Sequence, residues 1–281
     1  MYNGYKVEVF VFAGRKENLE ILLPQIKSDT IDKITIGVNT KNEDDLKYIH
    51  DVAKERNFNL LKLPSSIKDN GAAFQFFFKY MTNSDTIYFK IDDDVVYLEP
   101  NFFEKMLEFR FKHKEYICIY PFIVNNQLTN HLMRLPFVHR SKFKNEREYI
   151  EFCWKEPKFA EALHHLFLLA YKGDIPMDIF RCNDVEFGAE KHFGGIARAA
   201  INVICFYGND AKILGFGECP AWSAGGGDEE YLTHLVFKKT KRKHCMLGNV
   251  LAVHYAFGTQ VKHLNEHGIL KEYKNENFGS W

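Results

Sequence analysis

An α/β fold built on a mixed, mainly parallel sheet is what this sequence predicts, and two observations carry the prediction. Over the first 120 residues, strand-like and helix-like patterns alternate in regular order, the signature of βαβ units. Small, polar and charged residues then gather just past the apolar strands, where an open parallel sheet binds its ligands.

Taken in order, residues 5–12 form a β-rich run, and 16–27 a helix with Leu19, Leu22, Leu23 and Ile26 at i, i+3, i+4 and i+7. Residues 33–38 give a second strand, 43–56 a polar helix with Leu46, Ile49 and Ala53 inward, and 59–63 a third strand. An aromatic helix over 71–81, a strand over 86–91, a helix over 101–112 and a strand over 116–120 complete the alternation. After Pro121 the order breaks down. Residues 122–156 are mixed and basic, 157–171 read as a helix, and 196–206 as a buried strand or helix. Residues 228–238 read as a helix opened by three glycines, 250–255 as a strand, and 259–274 as a terminal helix with Val261, Leu264 and Leu270 on one face. No repeat or low-complexity linker marks a boundary, so a single domain is expected, regular over 1–120 and irregular over 121–281.

Composition narrows the function classes. The 37 basic residues balance 37 acidic ones, which removes a global electrostatic case for nucleic acid or an anionic membrane. The basic run at 238–244 reads as a solvated helix end with favourable dipole placement. Six cysteines (Cys118, Cys153, Cys182, Cys205, Cys219 and Cys245) contain no C-x-x-C pair, which argues against a disulfide framework or a thiolate zinc site and suits a reducing compartment. Residues 1–12 lack a basic segment followed by an apolar one, so no signal peptide is expected. No stretch reaches the ~18 apolar residues of a spanning helix. The nearest, 159–171, is interrupted by Glu161, His164 and His165, and the expectation is a soluble, cytoplasmic protein.

The chemistry gathers at the strand ends. The first strand ends in Ala13-Gly14-Arg15, the second in Asn39-Thr40, and the fourth in Asp92-Asp93-Asp94. Three consecutive carboxylates repel one another, and a divalent cation removes that cost. Oxygen ligands select a hard ion such as Mn²⁺ or Mg²⁺, which takes substrate phosphates as further ligands. Asp92 and Asp94, at i and i+2, project the same way, whereas Asp93 points elsewhere. A helix cap would need only one aspartate.

The segment Thr86-Ile-Tyr-Phe-Lys-Ile-Asp-Asp-Asp-Val-Val-Tyr resembles the Asp-x-Asp segment of GT-A nucleotide-sugar glycosyltransferases, in the triple-aspartate form found in bacteria and large algal viruses. Phe10-Val-Phe-Ala-Gly-Arg, Ile123-Val-Asn-Asn, Gly227-Asp-Glu-Glu-Tyr-Leu-Thr and Val253-His-Tyr-Ala-Phe follow in the order of that group, while residues 127–195 match nothing in it. The resemblance implies a GT-A-like domain whose first half, 1–120, binds the nucleotide and whose second half, 121–281, binds the acceptor. It implies that Ala13, Gly14, Arg15 and Asn39 hold base and ribose, with Asp92 and Asp93 beside them. Asp92 would reach the ribose or the metal shell, Asp94 would ligate Mn²⁺ (or Mg²⁺), and His254 would complete the shell. It further implies a UDP-sugar donor, UDP-xylose or similar, and transfer with inversion to a hydroxyl of a glycan or glycoprotein.

In inverting members a Glu-Asp pair opens a helix and its second member takes the acceptor proton. Here Asp228 precedes Glu229, so residue type points to Asp228 and position relative to Leu232 points to Glu229. Trp222 stands beside these acids, where an aromatic face suits a sugar ring. Two other classes compete. His263-Leu-Asn-Glu266-His267 matches H-x-x-E-H, in which two histidines hold zinc and the glutamate activates water for hydrolysis, with Glu272 and Glu276 as downstream ligands. A non-catalytic nucleotide- or glycan-binding protein would keep the rim and tolerate loss of Asp228 and Glu229.

Overall fold

The computed structural model describes residues 1–67, 70–133, 135, 138–188, 201–218, 227–276 and 278. Nine strands form one sheet: β1 (Lys6–Ala13), β2 (Lys33–Val38), β3 (Asn59–Lys62), β4 (Thr86–Asp92), β5 (Val95–Leu98), β6 (Cys118–Val124), β7 (Val185–Phe187), β8 (Val203–Tyr207) and β9 (His244–His254). Their order is β3-β2-β1-β4-β8-β6-β9-β5, with β7 also on β9. β3, β2, β1 and β4 run parallel. β8 lies antiparallel between β4 and β6, β6 and β9 are parallel, and β5 and β7 are antiparallel to β9. The expected mixed, mainly parallel sheet is therefore present.

Helices cover both faces: α1 (Lys16–Leu22), α2 (Glu43–Arg56), α3 (Asn70–Phe78), α4 (Phe102–Lys112), α5 (Gln127–Leu132), α6 (Glu146–Lys155), α7 (Pro157–Lys172), α8 (Gly208–Leu214), α9 (Gly227–Glu230), α10 (Val236–Thr240), α11 (Val261–Glu266) and α12 (Ile269–Glu276). Strand periodicity explains why two core layers form. Val7, Val9 and Val11 of β1 join one layer with Leu19, Ile49 and Met106, while Phe10 and Phe12 join the other with Phe77 and Phe78. The Asn42 side chain caps α2 by accepting from the Asp44 and Asp45 amides. Pro157 opens α7, and Gly173, at φ +85°, closes it in the left-handed conformation.

Four elements differ from expectation. β5, Val95-Val-Tyr-Leu, went unread because it is only four residues long and follows an Asp93–Asp94 turn, yet it pairs with β9. The 228–238 helix is divided by a π-helical turn over Tyr231–Leu235. The terminal helix is split at Gly268, whose φ of +75° ends one segment before the next begins. The basic run is not simply a solvated helix end: Lys241 leaves the helix in the left-handed region, Arg242 pairs with Asp210, and His244 is buried in β9. Of the 196–206 segment, residues 196–200 lie outside the described residues and β8 accounts for most of the rest. The five described cysteines are free thiols, and no described helix is long and apolar enough to cross a membrane.

Candidate functional site

Three strand ends are stitched together by backbone hydrogen bonds. The Asp93 amide donates to the Phe12 carbonyl at 3.1 Å, and the Asn39 amide to the Ala13 carbonyl at 2.7 Å. Asp93 turns back over this seam. Its Oδ2 accepts from the Gly14 and Arg15 amides at 2.7 and 2.8 Å, and its other oxygen pairs with the Arg15 guanidinium. Arg15 also reaches Asp94 Oδ2 at 2.9 Å. Burial would lower the guanidinium, but the Asp94 and Asp93 carboxylates outweigh it and hold Arg15 above its usual range. Gly14 is required by close approach, since a Cβ there would stand 2.9 Å from the Asn39 carbonyl oxygen.

Asp94 and His254 meet where β4 and β9 end. The Asp94 carbonyl accepts from the Tyr255 amide at 2.7 Å, which fixes the two chain segments side by side. His254 Nδ1 donates to the Asn125 carbonyl oxygen at 2.9 Å, and because a carbonyl can only accept, the ring proton lies on Nδ1. Nε2 then faces Asp94 Oδ2 at 3.5 Å. A histidine whose one nitrogen is held by a backbone carbonyl and whose other nitrogen faces a carboxylate has the arrangement of a metal ligand with its outer partner. Asp94 Oδ1 is buried and has no hydrogen-bond partner among the described residues. Burial alone would raise the Asp94 carboxyl, but His254 and Arg15 overcome it and hold Asp94 well below the usual range. A carboxylate and an imidazole set side by side are donors that suit a divalent ion such as Mn²⁺.

On the other side of the turn, Lys90 is almost fully buried. Its Nζ lies 2.6 Å from Asp92 Oδ1, donates to the Ile201 carbonyl at 2.8 Å and sits over the Phe12 ring at 5.1 Å. Burial, joined by Asp94 and Asp228 and opposed by Lys90, pushes Asp92 up to about 7. Asp228, at the start of α9, is also buried, and burial raises its carboxyl against the pull of the same Lys90. Its Oδ1 accepts from the Glu229 amide at 3.0 Å. The Glu229 side chain is partly exposed, and its charge bears on the buried Tyr120 hydroxyl.

The structure thus brings Arg15, Asp92, Asp93, Asp94, His254 and Asp228 into one charged cluster, with Glu229 next to Asp228 in the chain. Trp222 lies outside the described residues. Lys90 and Asn125 were missed as site residues. Lys90 had a readable signal, being a charge within an apolar strand at i−2 from Asp92, on the same face. Two clefts adjoin the cluster. Asn39 lines one of about 630 Å³ with Lys41, His50 and Leu63, while Arg15 and Tyr255 line one of about 580 Å³ with Asn42 and Asn265. In the H-x-x-E-H segment, Glu266 pairs with Lys262 at 3.8 Å, and both histidines turn to Glu161 of α7.

No protein-family model matches the chain, and no curated protein matches it. Solved structures align with part of it. Glucosyl-3-phosphoglycerate synthase from Mycobacterium tuberculosis, in complex with Mn²⁺, UDP and glucosyl-3-phosphoglycerate, is 16% identical over 43% of this chain and 44% of its own, with a TM-score of 0.35. The same enzyme with Mg²⁺ and UDP gives 15% identity, the same coverage and a TM-score of 0.34. A 4-diphosphocytidyl-2C-methyl-D-erythritol synthase from Anaerococcus prevotii DSM 20548 gives 15% identity over 42% of this chain and 55% of its own, at a TM-score of 0.33. The aligned region therefore spans about half or less of each of these proteins.

Proposed function

We propose that the chain is a GT-A-like, metal-dependent glycosyltransferase that moves a sugar from a UDP-sugar to a hydroxyl of a glycan or glycoprotein acceptor, with inversion. The observation that carries this reading is the pairing of a buried, unpartnered Asp94 Oδ1 with a His254 ring whose Nε2 is left facing Asp94. Asp94 and His254 would hold Mn²⁺ (or Mg²⁺), with Asp92 at its edge. When bound, the cation supplies charge compensation for the diphosphate leaving group.

This chain's own residues divide the remaining work. Asp93 locks Arg15 and the Gly14 turn, so that the strand ends present a fixed rim to the nucleotide. Asn39, in its cleft, supports recognition of the base and ribose. Lys90 balances Asp92 and Asp228 from beneath. Asp228 takes the acceptor proton: its buried, raised carboxyl beside the cluster suits a general base better than the partly exposed Glu229. UDP-xylose is the donor to test first.

The test is UDP release from a panel of UDP-sugars with Mn²⁺, together with melting in UDP with Mn²⁺ or with EDTA. Mn²⁺ should strengthen the UDP effect in the wild-type chain, and Asp94→Asn should abolish the difference. Equal stabilisation by UDP with and without metal would overturn the metal bridge, and failure to release UDP from any donor with any glycan would overturn the transferase.

A further inference from the structure

Away from the aspartate cluster, α7 and α11 meet through a carboxylate and two imidazoles. His263 Nε2 lies 2.7 Å from Glu161 Oε2, and His267 Nδ1 lies 2.8 Å from Glu161 Oε1. One ligand atom from each of the three residues falls within 4.8 Å of the others. The convergence is built by the backbone. The His267 amide donates to the His263 carbonyl at 3.0 Å, which keeps the two residues one helical turn apart and stacks their rings with centroids 4.0 Å apart. Glu161 comes from a different helix, far away in the chain.

We infer that Glu161, His263 and His267 form a structural site for a borderline divalent cation, Zn²⁺ in the first instance, which staples α7 to α11. Two imidazoles and one carboxylate are a zinc donor set, whereas Mg²⁺ and Ca²⁺ prefer oxygen alone. Ligand atoms around tetrahedral zinc stand roughly 3.3–3.6 Å apart, as bonds of ~2.0–2.2 Å require. The present contacts would open by less than ~1 Å to admit the ion. Binding needs the lone pairs of His263 Nε2 and His267 Nδ1, so the ring protons move to the opposite nitrogens or are released. His267 is half-exposed, which leaves a fourth position to water.

The same geometry separates this site from a hydrolase centre. Glu266, which would have to activate water, is exposed and engaged with Lys262. His165 stands 3.8 Å from Glu161 and 3.9 Å from Glu272, at the rim of the cluster. The staple also bears on the other site. From the same helix α7, His164 Nε2 donates to the carbonyl of Tyr255, the residue after His254, at 2.6 Å. Clamping α7 to α11 therefore braces the segment that leaves His254.

The test uses a tag-free chain, so that no polyhistidine competes for metal. Wild type, Asp94→Asn, Glu161→Gln and the double variant His263→Ala/His267→Ala are dialysed against Zn²⁺ and the bound ion counted, with melting followed in parallel. Wild type and Asp94→Asn should retain zinc and melt higher with it. The double variant should bind one zinc fewer than wild type and lose the matching rise in melting, and Glu161→Gln should weaken binding ~10-fold or more, the scale on which even outer partners of a metal ligand act. Equal zinc in the double variant and wild type, or loss of the zinc in Asp94→Asn alone, would overturn the site. Cobalt titration of the Asp94→Asn chain reads the same cluster with its ligands intact: strong visible absorption of low-coordinate Co²⁺ supports it, and a spectrum of hydrated Co²⁺ refutes it.

Discussion

His254 and Asp94 face each other across the ends of two strands that are distant in sequence, Nε2 to Oδ2 at 3.5 Å, while the Asn125 carbonyl holds the far side of the ring. Removing His254 would leave Asp94 with Arg15 as its only charged partner among the described residues, and removing Asp94 would leave the Nε2 side of the ring without its carboxylate.

For His254→Ala, the expected result is a modest loss of stability without ligands and a large loss of ligand response. Ligand at ~100 times its dissociation constant adds about 2.7 kcal/mol to the wild-type chain. Most of that gain from Mn²⁺ plus UDP should vanish in the variant, as paired denaturant melts would reveal. A loss of about 2–4 kcal/mol in the ligand-free protein with the full ligand gain preserved would make His254 a packing residue only.

The two acids at the start of α9 should separate kinetically. Asp228→Asn is expected to lower kcat by ~10²–10⁴ while UDP affinity stays near wild type, because a base acts on the acceptor hydroxyl in the transition state. Glu229→Gln should retain most of the transfer rate. The reverse ranking would move the base to Glu229, and full activity in both would remove this helix start from the chemistry.

Gly14→Ala is expected to destabilise the chain by about 1–3 kcal/mol, because its methyl would press on the Asn39 carbonyl and force the β1 and β2 ends apart. UDP binding should weaken with it, since the Asp93 contacts to the Gly14 and Arg15 amides share that turn. Calorimetry of the variant that found wild-type stability and UDP affinity would show that the seam tolerates the strain.

Two buried histidines should contribute an acid-linked loss of stability beginning near pH 6.5, partly offset by the raised Asp92 carboxyl, which takes up a proton over the same range. Burial lowers His164 to about 4 and His244 to about 3. As pH falls below the ordinary histidine value, the unfolded chain gains protons that the folded chain refuses, so folding loses free energy. Each group contributes roughly 2 kcal/mol of loss by pH 5, at about 1.4 kcal/mol per pKa unit. Urea melts of wild type and His244→Phe, which keeps a ring against Phe187 and Tyr120, should differ in slope between pH 7 and 5, the variant losing less stability as pH falls. An unchanged slope in that variant would assign the acid sensitivity elsewhere.

What was legible in the sequence follows the range of the interactions involved. The triple aspartate could be read because charge density is local, but the strand period that would set Asp93 against Asp94 ends at Asp92: the next two aspartates form a turn, and Arg15 reaches both. Lys90 could be seen as out of place in β4, but its partners Ile201 and Asp228 come from elsewhere in the chain. The role of Asn125 is carried by its backbone carbonyl, which no side-chain pattern encodes. Glu161 escaped for the same reason of distance: the H-x-x-E-H spacing points to partners downstream, and the carboxylate that His263 and His267 meet lies 102 and 106 positions upstream. β5 and the break at Gly268 were lost for local reasons, the first being a strand of four residues behind a two-residue turn and the second a single glycine inside an otherwise helical pattern.

The pairing of β5 with β9 bears on the order in which the protein can be made. β5 follows the aspartates directly and is buried along its whole length, yet its sheet partner, the strand carrying His254, is translated near the other end of the sequence. A nascent chain that has already produced Asp92, Asp93 and Asp94 therefore carries an apolar strand with bare edge groups, together with acids that lack their imidazole. Until β9 is made, Asp94 has no His254 to face. The Asp94–His254 pair can therefore form only once the sheet has closed, and a chain stalled before β9 cannot assemble it.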